Sequence, residues 1–284
     1  MIERRPLLNA TAHFILMLGV AIVAFPVLIT FIGSTQTAEQ ISTSNPLSLW
    51  PGGHGLESYR LALLGGKTSG GSTIAPLLPM LWVSLVSALV IAVGKIAISL
   101  LSAFAIVYFR FPLRNLVFWM IFVTLMLPVE VRIGPTYEVV SNLGMLNTYA
   151  GLTVPLIASA TATFLFRQFF LTVPDELVEA ARMDGAGPMR FFWDVLLPLS
   201  RTSIAALFVI QFIYGWNQYL WPLLVTTSED MYPVVLGIKR AIFGEVYVEW
   251  NVVMATAILA MLPPALVVML MQKWFVKGLV DTEK

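Results

Sequence analysis

The chain has 284 residues, of which 58% are hydrophobic and 12% charged, and its formal net charge is +1. Soluble domains average about 45–50% apolar and about 25% charged residues, so this balance indicates that lipid is the solvent for much of the chain. The near-neutral charge gives no whole-chain signal for nucleic acid, and the absence of cysteine excludes disulfides and thiolate chemistry. His13 and His54 have no ligand-spaced partner, so neither a metal site nor a His-based catalytic site is expected.

Six apolar segments are each long enough, at about 20 residues, to cross a membrane core as a helix. They cover roughly residues 11–33, 77–108, 116–133, 149–169, 204–226 and 252–274. We therefore predict an all-α integral membrane protein in which residues 1–284 form a single transmembrane domain. The first segment follows two arginines, but it is too long for a typical signal-peptide core and no small-residue cleavage site is evident after it. We interpret it as a retained anchor.

Lysine and arginine are distributed unevenly among the segments that join these spans. With a cytoplasmic N-terminus, eleven fall on the cytoplasmic side: Arg4, Arg5, Arg110, Arg114, Arg167, Arg182, Arg190, Arg201, Lys273, Lys277 and Lys284. Five fall on the outer side, Arg60, Lys67, Arg132, Lys239 and Arg240, and Lys95 lies within a span. Because positively charged short loops stay in the cytoplasm, we predict that both termini are cytoplasmic. The outer segment from Ser34 to Pro76 is expected to be irregular, with a short surface helix from Leu56 to Leu64.

The cytoplasmic segment between the fourth and fifth spans, residues 171–200, is charged and yet patterned like folded helix. Pro174 suits a first helical turn, and the two acidic residues after it favour the positive end of a helix dipole. We predict a helix from there to about Asp184, then a left-handed Gly185, then a second helix that begins at Pro188. Helix, glycine, helix is the expected shape of this segment.

The same segment carries residues of fixed spacing. On the first helix, one side would offer small and apolar side chains to a partner: Leu177, Ala180, Ala181 and Asp184. The spaced pattern consists of Glu179, Ala180, Ala181, Gly185, Val195, Leu197 and Pro198. It resembles the EAA loop of ABC importer permeases, with Val195 where isoleucine is usual. The alternative is a surface helical hairpin that matches by chance, but a motif gains weight when its expected context holds.

Further stretches narrow the resemblance to carbohydrate-type permeases similar to the smaller membrane subunit of maltose importers. They are Asp184-Gly185-Ala186, Leu197-Pro198-Leu199, Trp216-Asn217, Leu220-Trp221-Pro222-Leu223 and Phe275-Val276-Lys277-Gly278-Leu279. Two positions depart from that group: Thr202, where proline often follows, and Gln218, where glutamate is common. Residues 102–140 and 150–170 resemble the permeases of sn-glycerol-3-phosphate importers. The resemblance implies that the substrate is sn-glycerol-3-phosphate, with a sugar or oligosaccharide as the alternative.

The resemblance also implies a multi-pass subunit of the bacterial cytoplasmic (inner) membrane that works within a complex. Its expected partners are a second permease, forming a heterodimer, an ATPase dimer, and a periplasmic or lipoprotein substrate-binding protein. The chain has no Walker-type phosphate loop, so ATP and magnesium are expected on the ATPase, with no cofactor and no catalytic residue here. A secondary transporter would share the hydropathy but would have no reason to present such a loop, and no internal repeat is evident. The span interiors likewise offer almost nothing that an intramembrane enzyme would need.

Polar residues within two spans are candidates to line a pathway. Lys95 lies well inside the second span, where a charge costs about 2.5–3.5 kcal/mol or more unless it faces protein or water. It would contact an anionic substrate or be satisfied within the helix bundle. Gln211, Tyr214, Asn217 and Gln218 give the fifth span a polar side, which would line the pathway or bond to other helices. Trp and Tyr near span ends need no special role, since aromatic side chains favour the membrane interface.

Overall fold

The computed structural model describes residues 6–44, 48–68, 71–124, 127, 129–244 and 247–280, and these residues are predominantly helical. The helices are α1 (Pro6–Ser34), α2 (Ala38–Thr43), α3 (Gly55–Leu64), α4 (Leu77–Tyr108), α5 (Arg114–Val123), α6 (Val129–Asn142), α7 (Tyr149–Ile157), α8 (Ala160–Phe170), α9 (Asp175–Met183), α10 (Pro188–Phe191), α11 (Leu197–Leu199), α12 (Arg201–Trp216), α13 (Leu220–Val225), α14 (Val234–Phe243) and α15 (Trp250–Val280). A π-helical turn (Phe192–Leu196) joins α10 to α11, and a 3-10 turn (Glu229–Met231) precedes α14. Two short strands, β1 (Gly66–Lys67) and β2 (Thr73–Ile74), pair antiparallel.

Among the described residues, three helices are long and apolar enough to cross a membrane: α1, α4 and α15. Two bent pairs also qualify if each pair is one span: α7 with α8 at 44°, and the helix Pro188–Leu199 with α12 at 73°. The second predicted span coincides with α4, and the first and sixth lie within α1 and α15. The membrane-spanning, helical class is therefore confirmed, while the count of six spans stays a prediction.

The helices predicted for the third, fourth and fifth spans are not continuous. In place of a helix over residues 116–133, α5 ends at Val123 and α6 begins at Val129, with 125, 126 and 128 outside the described residues. The fourth predicted span is divided between α7 and α8, and the fifth between α12 and α13. Apolar composition alone gives the length of a span and does not reveal such breaks.

Pro155 in α7 explains one contact of the fifth predicted span. Proline has no N–H, so the carbonyl four residues earlier, that of Gly151, loses its helical partner. The Trp221 indole Nε1 donates to that Gly151 oxygen at 2.9 Å, in a buried position. At the α7–α8 break, the Ser99 hydroxyl of α4 donates to the Ser159 carbonyl at 3.3 Å. Trp221 thus satisfies the backbone group that Pro155 leaves free, as lipid cannot.

One compact unit comprises residues 1–79 and 237–262. Within it, α3 confirms the predicted surface helix and packs on α15 through Ala62, Val252 and Ala255. The Asn251 side-chain Nδ2 of α15 donates to the Ser58 hydroxyl at 2.9 Å. Most apolar side chains of α1 are exposed, as expected for a helix surrounded by lipid or by another subunit.

The second compact unit comprises residues 80–236 and 263–284. A core cluster in it joins α4, α8 and the π-helical turn, with Phe104, Phe166 and Leu196 among its buried members. Gly215 of α12 lies so close to α4 that a Cβ there would be 2.9 Å from the Ala88 Cα. Small residues permit this approach, which is typical of helices packed in membranes.

Candidate functional site

The segment of residues 171–200 has the predicted helix–glycine–helix arrangement. Its first helix, α9, begins at Asp175 after Pro174, with two acidic residues in the first turn and Arg182 in the last. These charges complement the helix dipole at both ends. The second helix begins with Pro188 at its first position, where the missing N–H costs nothing.

Gly185 fixes the angle between the two helices. Its φ is +72°, in the left-handed region that glycine adopts without strain. The Gly185 N–H bonds the Arg182 carbonyl at 3.0 Å, and the Ala186 N–H bonds the Ala181 carbonyl at 2.8 Å. This pair of bonds is the Schellman motif that closes a helix, so the turn is defined by backbone geometry.

The side of α9 that was expected to face a partner is only partly free. Leu177, Ala180 and Asp184 are exposed, but Ala181 is half-buried against the core of its own unit. Ala181 thus contacts the core of its own subunit, and its contact with a partner stays a prediction. Val178 packs on the same core, and residues three apart on a helix share one side, so Val178 and Ala181 seat α9 on the core.

The remaining residues of the spaced pattern divide in the same way. Glu179 is exposed, whereas Val195 and Leu197 pack against the core, and Pro198 and Ala186 are half-buried. The exposed surface available to another protein thus comes from the first helix and the glycine turn. The second half of the pattern holds the segment to the core.

The second helix contains a wider turn just before Pro198. The Leu197 N–H bonds the Phe192 carbonyl, five residues back, as in a π-helix. Proline cannot donate to the usual carbonyl four residues back, and the wider turn adjoins this gap. Ser200, which follows, is fully buried, and its hydroxyl donates to the Leu196 carbonyl at 2.6 Å.

Two of the five candidate pathway residues lie in direct contact. The Lys95 Nζ is 3.6 Å from the centroid of the Tyr214 ring, which joins α4 to α12. Lys95 is only 6% exposed, while Tyr214 is 38% exposed. An ammonium over an aromatic face is stabilised by the ring quadrupole, so this contact supports the buried charge.

The other three candidates occupy different surroundings. Gln211 is buried, Asn217 is exposed at the end of α12, and the Gln218 Nε2 donates to the Tyr214 carbonyl at 3.1 Å. The polar side predicted for one continuous span is thus divided, because α12 ends before Gln218. Within the described ranges, no group of three or more His, Asp or Glu side chains is arranged to hold a metal ion.

Sequence reasoning missed a specific contact at the end of α4. The Tyr108 hydroxyl donates to the Phe170 carbonyl at 3.2 Å, where α8 leads into the segment of residues 171–200. Tyrosines at span ends are common at membrane interfaces, so no sequence signal distinguishes this one.

Residues 95–281 match the family described as the binding-protein-dependent transport system inner membrane component. The matched region holds the helix–glycine–helix segment, α12 and Lys95, and it covers more than half of the chain. The chain belongs to this family of inner-membrane transport permeases.

Relatives that match the full length of the chain carry a more particular name. A protein of Brucella melitensis is 62% identical over 287 aligned residues, covering all of both chains. One of Escherichia coli O1:K1 is 58% identical over 285 residues, again covering all of both. Each is named as the sn-glycerol-3-phosphate transport system permease protein UgpE.

The fold is also similar to that of a solved membrane complex. A chain from a crystal structure of a bacterial ABC transporter, involved in the import of the acidic polysaccharide alginate, superposes with a TM-score of 0.75. The likeness covers 97% of this chain and 99% of that one, at 20% sequence identity. At this identity the likeness defines the fold, and substrate has to be argued from closer relatives.

Proposed function

We propose that this chain is the permease subunit through which a binding-protein-dependent ABC importer carries sn-glycerol-3-phosphate across the bacterial cytoplasmic membrane. One observation carries the substrate: full-length relatives at 62% and 58% identity are named as permeases of sn-glycerol-3-phosphate transport systems. A sugar or oligosaccharide is the alternative within the same group of importers.

The chain works as half of a heterodimeric pathway, with a second permease, an ATPase dimer and a periplasmic or lipoprotein binding protein. Residues 1–284 form one transmembrane domain of six spans with both termini in the cytoplasm. The excess of cytoplasmic Lys and Arg supports this orientation. ATP and magnesium bind to the ATPase, and the chain itself has neither a catalytic residue nor a cofactor.

Residues 171–200 couple the pathway to ATP hydrolysis. The exposed residues Glu179, Ala180 and Asp184 contact the ATPase, and Gly185 sets the angle between the helices. Their exposure on a segment seated firmly on the core supports this role. A rigid knob of this kind moves as one body when its partner changes conformation.

Lys95, Gln211, Tyr214, Asn217 and Gln218 contribute to the pathway. The partly exposed ring of Tyr214, lying over the Lys95 ammonium, supports a site where substrate approaches a cation. The phosphate of sn-glycerol-3-phosphate is attracted to such a charge, and burial strengthens the attraction.

Uptake of labelled sn-glycerol-3-phosphate by cells with and without this chain tests the proposal. We expect uptake to depend on the chain and to resist competition by excess maltose. Undiminished uptake in its absence would contradict the assigned substrate, and strong competition by the sugar would favour the alternative. Uptake that survives ATP depletion and follows an ion gradient would instead indicate a secondary transporter.

A further inference from the structure

Tyr108, the last residue of α4, lies where the proposed coupling segment begins. Its hydroxyl donates to the Phe170 carbonyl at 3.2 Å, and the Val173 N–H donates to the same oxygen at 3.3 Å. Phe170 ends α8, and Val173 lies in the turn that leads to α9. The hydrogen bond therefore joins α4 to the first end of the coupling segment.

Aromatic rings join α4 to the second helix of the same segment. The Tyr108 ring meets the Phe191 ring nearly edge-on, with centroids 5.4 Å apart and an interplanar angle of 72°. One helical turn earlier, the ring of Phe104 lies 5.0 Å from that of Phe192. Such ring pairs contribute beyond simple burial, so they join the end of α4 to the second helix of the segment.

A cavity of about 220 Å³ adjoins these contacts. Its walls come from Phe104, Tyr108 and Phe109 of the α4 end and from Val178, Ala181 and Phe191 of the coupling segment. The exposed residues Arg182 and Pro188 also line this cavity, so it opens to the surface between the end of α4 and the segment. The contacts of Tyr108 bridge this cavity, so a displacement of the coupling segment would reach α4 through them.

From this geometry we propose that Tyr108 is a positioning residue that transmits movement of the coupling segment to α4. The inference rests on the proposed coupling function. A displacement at the end of a continuous helix moves the helix as a body, and Lys95 lies thirteen residues earlier in α4, about 20 Å along its axis. Tyr108 thus connects the ATPase-facing surface with the membrane-embedded cation.

The test uses the complete complex of both permeases and ATPase in proteoliposomes, with binding protein added. The measured quantity is sn-glycerol-3-phosphate imported per ATP hydrolysed. Tyr108→Phe retains the ring and removes the hydroxyl, so we expect this ratio to fall by about two- to tenfold, the factor that one hydrogen bond represents. We also expect unchanged subunit stoichiometry and a higher ATPase rate without binding protein.

Tyr232→Phe is the matched control. The Tyr232 hydroxyl donates to the Thr227 carbonyl at 3.2 Å, outside the coupling segment, so the same substitution there leaves the Tyr108 bond in place. We expect a wild-type ratio. A wild-type ratio in Tyr108→Phe, an equal loss in both variants, or dissociation of the ATPase from Tyr108→Phe would overturn the inference. A wild-type complex that imports no sn-glycerol-3-phosphate would contradict the proposed substrate instead. The role of Tyr108 would then be decided by whether Tyr108→Phe raises the ATPase rate without binding protein.

Discussion

Lys95 combines burial with a contact that suits a cation. A charge within a span is costly unless protein or water faces it, and the Tyr214 ring provides an aromatic face at 3.6 Å. Such a contact contributes about 0.5–2 kcal/mol, depending on how far the pair is desolvated. The contact offsets part of the free-energy cost of burying the Lys95 charge. A charge that is present despite the remaining cost supports a role for Lys95 in transport.

Replacement of Lys95 by methionine separates a pathway role from a packing role. We expect Lys95→Met to assemble with its partners, because removing a buried charge together with its desolvation cost is often nearly neutral. Uptake by the assembled complex is the measurement, and the pathway role requires it to fall. Normal uptake would show that Lys95 serves only the contact between α4 and α12.

Gly185 and Gly187 form a matched pair of glycines within one turn. Gly185 has a φ of +72° and Gly187 a φ of −72°, and an added Cβ meets no atom within 4 Å at either position. Both glycines therefore have room for a side chain, and they differ in their backbone conformation. Gly185→Val should cost about 1–3 kcal/mol and displace the second helix, while Gly187→Val adopts its φ without strain.

The measurement for this pair is ATPase retention on affinity purification, followed by substrate-stimulated ATP hydrolysis and uptake. We expect Gly185→Val to insert in the membrane but to lose the ATPase or to hydrolyse ATP without import. Gly187→Val should behave as wild type. Wild-type stoichiometry, stimulation and uptake in Gly185→Val would remove the case for this turn in coupling.

At the scale of the element, two neighbouring alanines of α9 face different surroundings. Ala180 is exposed, while Ala181 is half-buried and lines the cavity beside Tyr108. A leucine at Ala180 would overpack an interface with the ATPase at a cost of about 1–3 kcal/mol. A leucine at Ala181 would extend into the cavity of its own subunit, so Ala180→Leu should weaken ATPase retention and Ala181→Leu should not. The reverse order would contradict the orientation of α9 in the complex.

The same comparison shows what the sequence could predict about the elements. The bounds of α4 and the turn at Gly185 followed from an apolar run and from glycine and proline positions, which are local signals. The inward orientation of Ala181 could not be predicted in this way, because that side of the helix is shared by Leu177, Ala180, Ala181 and Asp184. Packing against the core determines which of them is buried. Local pattern and tertiary packing are separate sources of information.

The interrupted spans have a similar explanation. Both the α7–α8 break and the Pro155 gap in α7 are stabilised from outside their own helix, by Ser99 and by Trp221. No hydropathy window includes those distant partners. Tyr108 was passed over for the same reason, since the carbonyl that it binds is 62 residues away along the chain.

At the scale of the whole molecule, the proposed orientation puts residues 34–76 outside and residues 171–200 in the cytoplasm. The natural absence of cysteine permits single-cysteine labelling, and two apolar residues of similar exposure form a matched pair: Leu56 at 88% and Met183 at 83%. We expect Leu56→Cys to react with an impermeant thiol reagent in intact cells and Met183→Cys to react only after permeabilisation. Labelling of Met183→Cys alone in intact cells would reverse the orientation. Ser200 is unsuitable for this purpose because it is buried.

The complete complex tests the central claim most directly, that this chain is one of the two permease subunits of an ATP-driven importer of sn-glycerol-3-phosphate. Proteoliposomes with ATP inside, and with labelled substrate and binding protein outside, should accumulate sn-glycerol-3-phosphate. Accumulation should stop when ATP, the binding protein or this chain is left out. Accumulation that proceeds without ATP along an ion gradient, or that needs no binding protein, would contradict the account.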